Sequence, residues 1–332
     1  MSLGSVLALI QTASELGLIS ALTVIALYLS YSMLNVCDLS TDGCFTLGAT
    51  VGAVVTLSGH PFLALPAAMA AGIASGFITA FLQTKMGVNS LLAGIIVNTA
   101  LYSINIAVMG NSSILNLNKT DTVFTKALDL LRNTPLMEQY KLIVALLAVI
   151  IVGVLLALFL RTKLGLAIRA TGNNPDMVRS SSINPVFTTI VGLCVANSFT
   201  ALSGCLLAQS QKSVNIDIGT GMVTIALASL LIGNVFLGRK KIPLQIVGMV
   251  LGAFVFRLVY TIALRFDMPA FMLKFVSSVI VVLAISIPYL KTRFPFLKRK
   301  LDQRFGRRAA YCLISPTFPS PLIRERRTPK KL

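Results

Sequence analysis

Long apolar segments alternate with short polar connections along most of the chain. A helix crosses the hydrocarbon core of a membrane with about 20 apolar residues. On that scale the pattern predicts nine membrane-spanning helices, at residues 16–35, 43–58, 61–82, 88–109, 142–160, 185–207, 220–237, 244–264 and 270–290. The second segment is short and rich in glycine, so it is either a full crossing or a broken, re-entrant segment, and the alternative count is eight. The pattern is typical of an all-α, polytopic helical membrane protein.

Composition agrees with this interpretation. Of the 332 residues, 55% are hydrophobic and 12% are charged, which is about half of the charged fraction usual in a soluble domain. The net charge of +18 would by itself suggest a nucleic-acid partner, but 13 of the 29 basic residues lie after residue 290. We therefore predict a transmembrane domain, 1–290, and a basic cytoplasmic tail, 291–332, with no nucleic-acid partner.

The tail itself has two parts. Residues 291–308 are basic and amphipathic, which suits contact with anionic membrane lipid. Residues 309–332 contain four prolines and are predicted to be disordered. Membrane lipid is therefore the partner expected for the tail.

Basic residues also predict the orientation of the chain. Short cytoplasmic loops carry an excess of Lys and Arg. If the spans alternate, four basic stretches fall on one side of the membrane: Lys85, the connection 161–179, the connection 239–241 and the tail. We expect the N-terminus outside and the C-terminus in the cytoplasm.

The connection 162–184 is too long for a simple hairpin between spans. Its sequence indicates two short amphipathic helices, separated where Pro175 disfavours helical geometry in the residue before it. Asn174 is suited to cap a new helix with Pro175 at its first position and Asp176 in its first turn. The alternative interpretation is a plain connector that carries cytoplasmic positive charge.

Four segments of the chain resemble one family. The run GLAIRATGNNPDM in 162–184 is similar to the cytoplasmic loop of ABC importer permeases of the branched-chain amino acid/ribose type, and most similar to an uncharacterised tryptophan/tyrosine-type subgroup. Three further segments are similar in the expected order: DLSTDGCFTLGA (38–49), NSLLAGIIVNTALYSIN (89–105) and GTGMVTIALASLLIG (219–233). The resemblance covers roughly residues 16–290.

The resemblance implies a function and partners. The chain would be the membrane-spanning permease subunit of an ABC importer in the bacterial cytoplasmic (inner) membrane, moving a small solute such as an amino acid by alternating access. It would bind no cofactor and have no enzymatic site. A separate cytoplasmic ATPase would use ATP, an extracytoplasmic solute-binding protein would deliver the solute, and two permease chains would form a dimer.

The resemblance also implies which residues contact the ATPase. In the family, the 162–184 loop forms a coupling helix that docks into the ATPase subunit. The matching residues are Arg169, Ala170, Gly172, Asn174, Pro175 and Met177. Ser182 is a departure, since the family usually has glycine there, and we expect the end of the coupling helix to have a different shape.

Polar residues within the spans are candidates for the substrate pathway, because each is costly in a bilayer unless it is paired. Asn98 and Asn105 are seven residues apart and share one helix face, where they either hold helices together or line a pathway. Arg257 either extends toward the membrane surface or pairs with a carboxylate or an anionic substrate group. Asn197 is a milder candidate.

The carboxylates bear on the alternative function, an ion-coupled secondary transporter. Such a transporter is expected to carry carboxylates near the middle of the bilayer. We place Asp38 and Asp42 at the cytoplasmic boundary, where capping the helix at 43–58 is the simplest role. Asp217 and Asp267 also fall near interfaces, so the sequence argues against ion coupling.

Enzymatic and metal chemistry find little support. The chain has one histidine, His60, and its five cysteines form no C-x-x-C pair, so we expect no metal site. The sequence has no G-x-x-x-x-G-K-[ST] phosphate-binding loop. We expect neither an ATPase site nor an enzyme active site on this chain.

A short internal similarity suggests an inverted repeat. Residues 38–43 (DLSTDG) and residues 217–221 (DIGTG) each precede an apolar span. In the orientation given above these two spans run in opposite directions, as an inverted repeat requires.

Overall fold

A computed structural model describes residues 3–132, 139–237 and 242–265, together with the individual positions 275, 278–283 and 286. The α-helices within these residues are α1 (Leu3–Leu27), α2 (Thr41–Leu57), α3 (Ala64–Thr84), α4 (Ser90–Val108), α5 (Val123–Leu131), α6 (Tyr140–Phe159), α7 (Lys163–Asn173), α8 (Pro175–Ser180), α9 (Pro185–Gln211), α10 (Met222–Leu237) and α11 (Ile242–Arg265). A π-helical turn, Tyr28–Met33, extends α1. Two three-residue strands, β1 (Ile114–Asn116) and β2 (Ser213–Asn215), pair antiparallel.

The helices confirm the predicted all-α, polytopic membrane architecture. Six are long and apolar enough to cross a membrane: α1 with its π-turn (Leu9–Met33), α3, α4, α6, α9 and α11. Two more, α2 and α10, are apolar but shorter. These eight correspond to the first eight predicted spans. The ninth, 270–290, falls mostly outside the described residues, and the tail 291–332 falls wholly outside them.

The long helix α9 lies at the centre of the fold, and α2 and α3 pack on it in opposite directions. Along α2, Gly48 and Gly52 lie against Ala201 and Cys205 of α9, so α2 runs parallel to α9. Along α3, Gly72 lies against Asn197 and Gly76 against Leu193, so α3 runs back antiparallel. Gly48 is needed because a Cβ there would overlap the backbone of Ala201. Small residues allow this close approach of helices.

On its other side α9 packs on α1, which in turn packs on α11. The Ser203 hydroxyl donates to the Ile19 carbonyl at 2.7 Å, and Thr23 Oγ1 donates to Ser203 Oγ at 2.9 Å. Further along, Leu34 lies against Gly192, so α1 runs antiparallel to α9. The contacts of Gly17 with Phe254 and of Tyr28 with Gln245 make α11 antiparallel to α1.

The two shorter apolar helices, α2 and α10, begin inside the bundle rather than at its surface. Gly219, just before α10, lies against Asp42 in the first turn of α2. From that shared point α2 runs parallel to α9. In contrast, α10 runs antiparallel to α11, because Gly233 lies against Gly248 and Ser229 lies against Gly252. Because α11 and α9 run in the same direction, α2 and α10 diverge in opposite directions. This is the geometry that an inverted repeat predicts.

The two ends of the bundle carry different structures. The Gln211 end carries the β1–β2 ladder and α5, since β2 follows α9 directly and the Val123 amide at the start of α5 donates to Gln209 Oε1 at 2.9 Å. The Pro185 end carries α7 and α8, joined to α9 by a hydrogen bond between the hydroxyls of Thr171 and Thr188 at 2.8 Å.

Candidate functional site

The 162–184 loop folds as two short helices, as the sequence predicts. The Thr162 hydroxyl caps α7 by accepting from the Gly165 amide at 3.2 Å. Asn174 is extended, and its Oδ1 accepts the backbone N–H groups of Asp176 and Met177, both at 3.1 Å. Pro175 takes the first position of α8, where its missing N–H costs no hydrogen bond. The predicted cap and helix start are confirmed.

The end of α8 corrects one expectation. Ser182 adopts the left-handed conformation, with φ of 59°. Its N–H donates to the Arg179 carbonyl at 3.1 Å, and the Ile183 N–H donates to the Val178 carbonyl at 3.2 Å, which together form a Schellman motif. The expectation that Ser182 reshapes this end was wrong, because a serine can occupy the glycine position at a cost of about 1–2 kcal/mol.

The loop is anchored to the bundle through its inner face. Gly172 lies directly against the backbone of Met33 and Leu34, at the end of the π-turn that follows α1. Ile168 and Val178 are buried, and Thr171 is bonded to Thr188 of α9. The inner face of α7 therefore contacts both the π-turn after α1 and the start of α9.

The outer face of the loop presents most of the predicted ATPase-contacting residues. Arg169, Ala170, Asn174, Pro175 and Met177 are exposed, while Gly172 is half-buried and faces α1. Met177 is 67% exposed and Leu166 is 54% exposed. Arg179 and Asp176 form an exposed ion pair at 3.8 Å, and such surface pairs contribute little stability.

A polar cavity of about 280 Å³ lies between α2, α4 and the segment that leads into α10. Its lining residues are Asp42, Gly43, Thr46, Asn98, Thr99, Tyr102, Asn105, Ile216 and Thr220. Two of the four predicted pathway residues, Asn98 and Asn105, therefore line one cavity. The sequence did not indicate that Asp42, Thr46 and Thr220 would join them, although the DLSTDG segment that carries Asp42 and the DIGTG segment that carries Thr220 had been singled out.

Asp42 is positioned by the helix that starts beside it. Its Oδ1 accepts the Val223 N–H at 2.8 Å and its Oδ2 accepts the Gly221 N–H at 3.0 Å. Asp42 thus caps α10, whereas the sequence assigned it to the helix at 43–58, and that assignment was wrong. The carboxylate is favoured there because the N-terminus of a helix carries a partial positive charge.

Asn98 and Asn105 approach α2 closely at Gly43. A Cβ on Gly43 would lie 2.6 Å from Asn98 Oδ1, so a larger residue there would displace this amide. Asn105 Nδ2 donates to the Gly43 carbonyl at 3.3 Å. Asn105 is 1% exposed, and its Oδ1 has no hydrogen-bond partner within the described residues.

The other two pathway candidates lie elsewhere. Asn197 Nδ2 donates to Asp38 Oδ2 at 3.1 Å inside the bundle. Arg257 is 9% exposed between α11 and α1, where its Nε donates to Ser20 Oγ at 3.3 Å and its guanidinium lies 5.8 Å from the centroid of the Tyr260 ring. Neither residue lines the cavity.

Asp38 also lies where the sequence did not place it. It is 1% exposed, and its Oδ1 accepts the N–H of Ser40 at 2.8 Å and the hydroxyl of Ser40 at 2.6 Å. Its partner Asn197 is the thirteenth residue of the 27-residue α9, so Asp38 lies near the middle of that helix. The boundary placement of Asp38 was wrong, and the absence of a buried carboxylate no longer argues against ion coupling.

Comparison with known proteins identifies the family. The family described as branched-chain amino acid transport system, permease component, matches residues 9–285. The chain is 30% identical over 267 residues to the tyrosine transport system permease protein of Clostridioides difficile (strain R20291), covering 80% of this chain and 86% of that protein. It is 32% identical over 223 residues to the uncharacterized protein RP368 of Rickettsia prowazekii (strain Madrid E), covering 67% and 76%. No solved structure matches the chain significantly. These matches confirm the resemblance drawn from its motifs, and the chain belongs to the family of permease components of branched-chain amino acid transport systems.

Proposed function

We propose that this chain is the membrane subunit of an ABC importer that moves an amino acid into the cell and is driven by a separate ATPase bound to the 162–184 loop. One observation carries the proposal: α7 and α8 expose large apolar side chains, such as Leu166 and Met177, among the charged residues of their outer face, while their inner face packs on α9 and the π-turn after α1. An exposed side chain such as Met177 has no structural need to be apolar. A docked partner subunit would bury it.

The fixed inner face suits the loop to transmit force. ATP binding would close the ATPase dimer and displace α7 and α8. The contact of Gly172 with Met33 and the hydrogen bond of Thr171 with Thr188 would carry that displacement to α1 and α9. Since α9 packs along α2, the displacement would reach the helix that carries Asp42. Such coupling requires a free-energy link between the two sites, and this path provides one.

Tyrosine is the first substrate to test, because the relative from Clostridioides difficile is named a tyrosine transport system permease. A solute-binding protein outside the membrane would deliver it to the Gln211 end. We place the N-terminus outside and the Pro185 end in the cytoplasm, on the evidence of the basic connections. The chain itself would bind no ATP or other cofactor.

A second copy of the chain is proposed to close the pathway. On α4, Thr99, Tyr102 and Ser103 are exposed, and Tyr102 is 50% exposed. Polar side chains facing lipid are unfavourable and usually face the bundle interior or a water-filled cavity. In a homodimer that packs around this face of α4, the polar cavity would face a pathway shared by the two chains.

The coupling role is tested with one substitution and a matched control. Met177→Glu would place an unpaired charge in the docking surface, which costs several kcal/mol when it is buried. Met86→Glu is the control, because Met86 is 64% exposed at the same Pro185 end, between α3 and α4. Both variants are purified with the ATPase of the same system and assayed in vesicles for ATP-driven tyrosine uptake.

We expect Met177→Glu to lose the ATPase and at least 90% of uptake, and Met86→Glu to keep both. Retention of ATPase binding in Met177→Glu, or equal loss in the two variants, would refute docking on α7 and α8. A purified permease that concentrates solute without any ATPase, driven by an ion gradient, would instead support the ion-coupled alternative. The buried carboxylate of Asp38 makes that control necessary.

A further inference from the structure

The residues that line the polar cavity carry negative charge and no positive charge. Among its lining residues in the described chain, the one formal charge belongs to Asp42, and none of the nine is Lys, Arg or His. A cavity that receives a zwitterionic or charged solute must recognise its groups with groups of opposite character. This cavity favours positive charge.

The three threonine hydroxyls that line the cavity each donate their proton to a backbone carbonyl. Thr46 Oγ1 donates to the Asp42 carbonyl at 3.1 Å, Thr99 Oγ1 to the Ile95 carbonyl at 2.9 Å and Thr220 Oγ1 to the Asp217 carbonyl at 2.8 Å. A hydroxyl has one proton and two lone pairs. Each threonine can therefore offer only an acceptor to the cavity.

Asn105 adds a buried acceptor that lacks a donor. Its Nδ2 is held by the Gly43 carbonyl, which fixes the orientation of the amide. Its Oδ1 has no partner in the described chain although the residue is 1% exposed. A buried acceptor without a donor costs about 1–3 kcal/mol, so this oxygen indicates a ligand that brings an N–H or O–H group.

Asp42 has acceptor capacity to spare. An ionised carboxylate offers about four lone-pair positions, and the N–H groups of Gly221 and Val223 occupy two of them. The remaining positions lie on a residue that lines the same cavity as Asn105. Both residues are also tied to the start of α2, where Asn105 bonds Gly43.

We propose that the polar cavity binds the primary ammonium group of the transported solute, with the Asp42 carboxylate and Asn105 Oδ1 as its main acceptors. A primary ammonium has three N–H donors and no acceptor, which complements the threonine, amide and carboxylate oxygens of the cavity. The neutral donors in the lining, Asn98 Nδ2 and the Tyr102 hydroxyl, remain for acceptor groups of the solute. The solute class is then a compound with a free primary amine, and deaminated acids are rejected. This proposal rests on the proposed transport function and deepens it.

The test measures equilibrium binding to the purified full-length chain in lipid nanodiscs, without ATPase or binding protein. Two matched series are used: tyrosine, tyramine and 3-(4-hydroxyphenyl)propionate, and leucine, isopentylamine and 4-methylpentanoate. In at least one series we expect the amino acid and the amine to compete for one site and the deaminated acid to bind at least tenfold more weakly. Asp42→Asn and Asn105→Leu should each weaken binding of the amine at least tenfold.

A matched control separates recognition from folding. Ser58→Ala removes a hydroxyl from the end of α2, outside the cavity, and should bind the amines like the natural chain. Each variant is checked for an unchanged elution volume, because Asp42→Asn keeps one acceptor for the α10 cap and replaces the other with an N–H₂ group that cannot accept. The proposal is overturned if the acids bind as tightly as the amines or if no probe binds. It is also overturned if well-folded Asp42→Asn and Asn105→Leu bind the amines normally, or if sodium competes with the amines for the same site. ATP-driven uptake with any of these outcomes would leave the transport function standing and remove only the ammonium site.

Discussion

The buried bond between Asp38 and Asn197 gives the sharpest test of how the bundle is held together. Asp38 accepts three hydrogen bonds, two from Ser40 and one from Asn197. In Asp38→Leu the Ser40 N–H and Asn197 Nδ2 would lose this acceptor inside the bundle. A buried group left without its partner costs about 1–3 kcal/mol, and individual hydrogen bonds between membrane helices contribute about 0.6–2 kcal/mol. We expect the free energy of unfolding to fall by about 2–4 kcal/mol.

A thiol-reactive dye reports this loss at the site itself. Cys44 is fully buried, and its Sγ donates to the Asn197 carbonyl at 3.3 Å, so it reacts only when α2 and α9 separate. Unfolding is followed by this reaction in mixed micelles of increasing denaturing detergent, in a background where Cys44 is the single cysteine, because Cys37 and Cys194 are only half-buried. Asp38→Asn should lose less than about 1.5 kcal/mol, because its amide oxygen can still accept from Ser40.

The control and the double substitution make the result decisive. Asp217→Leu changes the same residue type at an exposed position and should alter stability by less than about 0.5 kcal/mol. Combining Asp38→Leu with Asn197→Leu should cost less than the sum of the single changes, by about 0.5–3 kcal/mol. If Asp38→Leu stays within 1 kcal/mol of the natural chain, or if the two changes simply add, the network does not stabilise the bundle as argued.

Three further outcomes are expected. Ser182→Gly should raise the free energy of unfolding by about 0.5–1 kcal/mol, because glycine avoids the Cβ penalty of about 1–2 kcal/mol but loses more backbone entropy on folding. Unchanged stability in detergent titration would argue against strain there. Gly48→Ala should lower the free energy of unfolding by about 1–3 kcal/mol, because the added methyl group overpacks against the neighbouring helix. Its control, Gly153→Ala, should lower the free energy of unfolding by less than 1 kcal/mol in the same titration, because the nearest neighbour of its Cβ would lie at 3.4 Å. In a cysteine-free background, Thr120→Cys should react with an impermeant maleimide in intact cells and Lys163→Cys only after lysis, and the reverse pattern would invert the topology.

The parts that the sequence predicted well are those decided within a few residues. The start of α8 depends on Asn174, Pro175 and the two amides that follow, and all of these lie within four consecutive positions. Capping and proline geometry operate at that range. For the same reason the eight described apolar helices were located close to their observed positions, since hydropathy over about 20 residues is also a local property.

The candidate site was only half predictable. Asn98 and Asn105 could be paired because one helix carries both, at a spacing that places them on one face. Asp42 lies beside them because α2 packs on α4 at Gly43. Its carboxylate is held by Gly221 and Val223, 179 and 181 residues further along the chain. Arg257 and Asn197 have the same polar character, but they bond Ser20 and Asp38 within the bundle. Polarity inside a span indicates that a partner is needed, and it does not indicate which partner.

Local chemistry and hydropathy along this chain were sufficient to determine a helical membrane protein and the two short helices of the 162–184 loop, and the resemblance of its motifs indicated the family. Only the tertiary structure decided that Asp38 lies in the interior and that α2 and α10 begin there side by side. When the neighbours of a carboxylate are unknown, the membrane boundary is its most favourable expected position, because water can donate hydrogen bonds to it there. The interior becomes accessible to Asp38 once Ser40 and Asn197 supply the donors that water would otherwise provide.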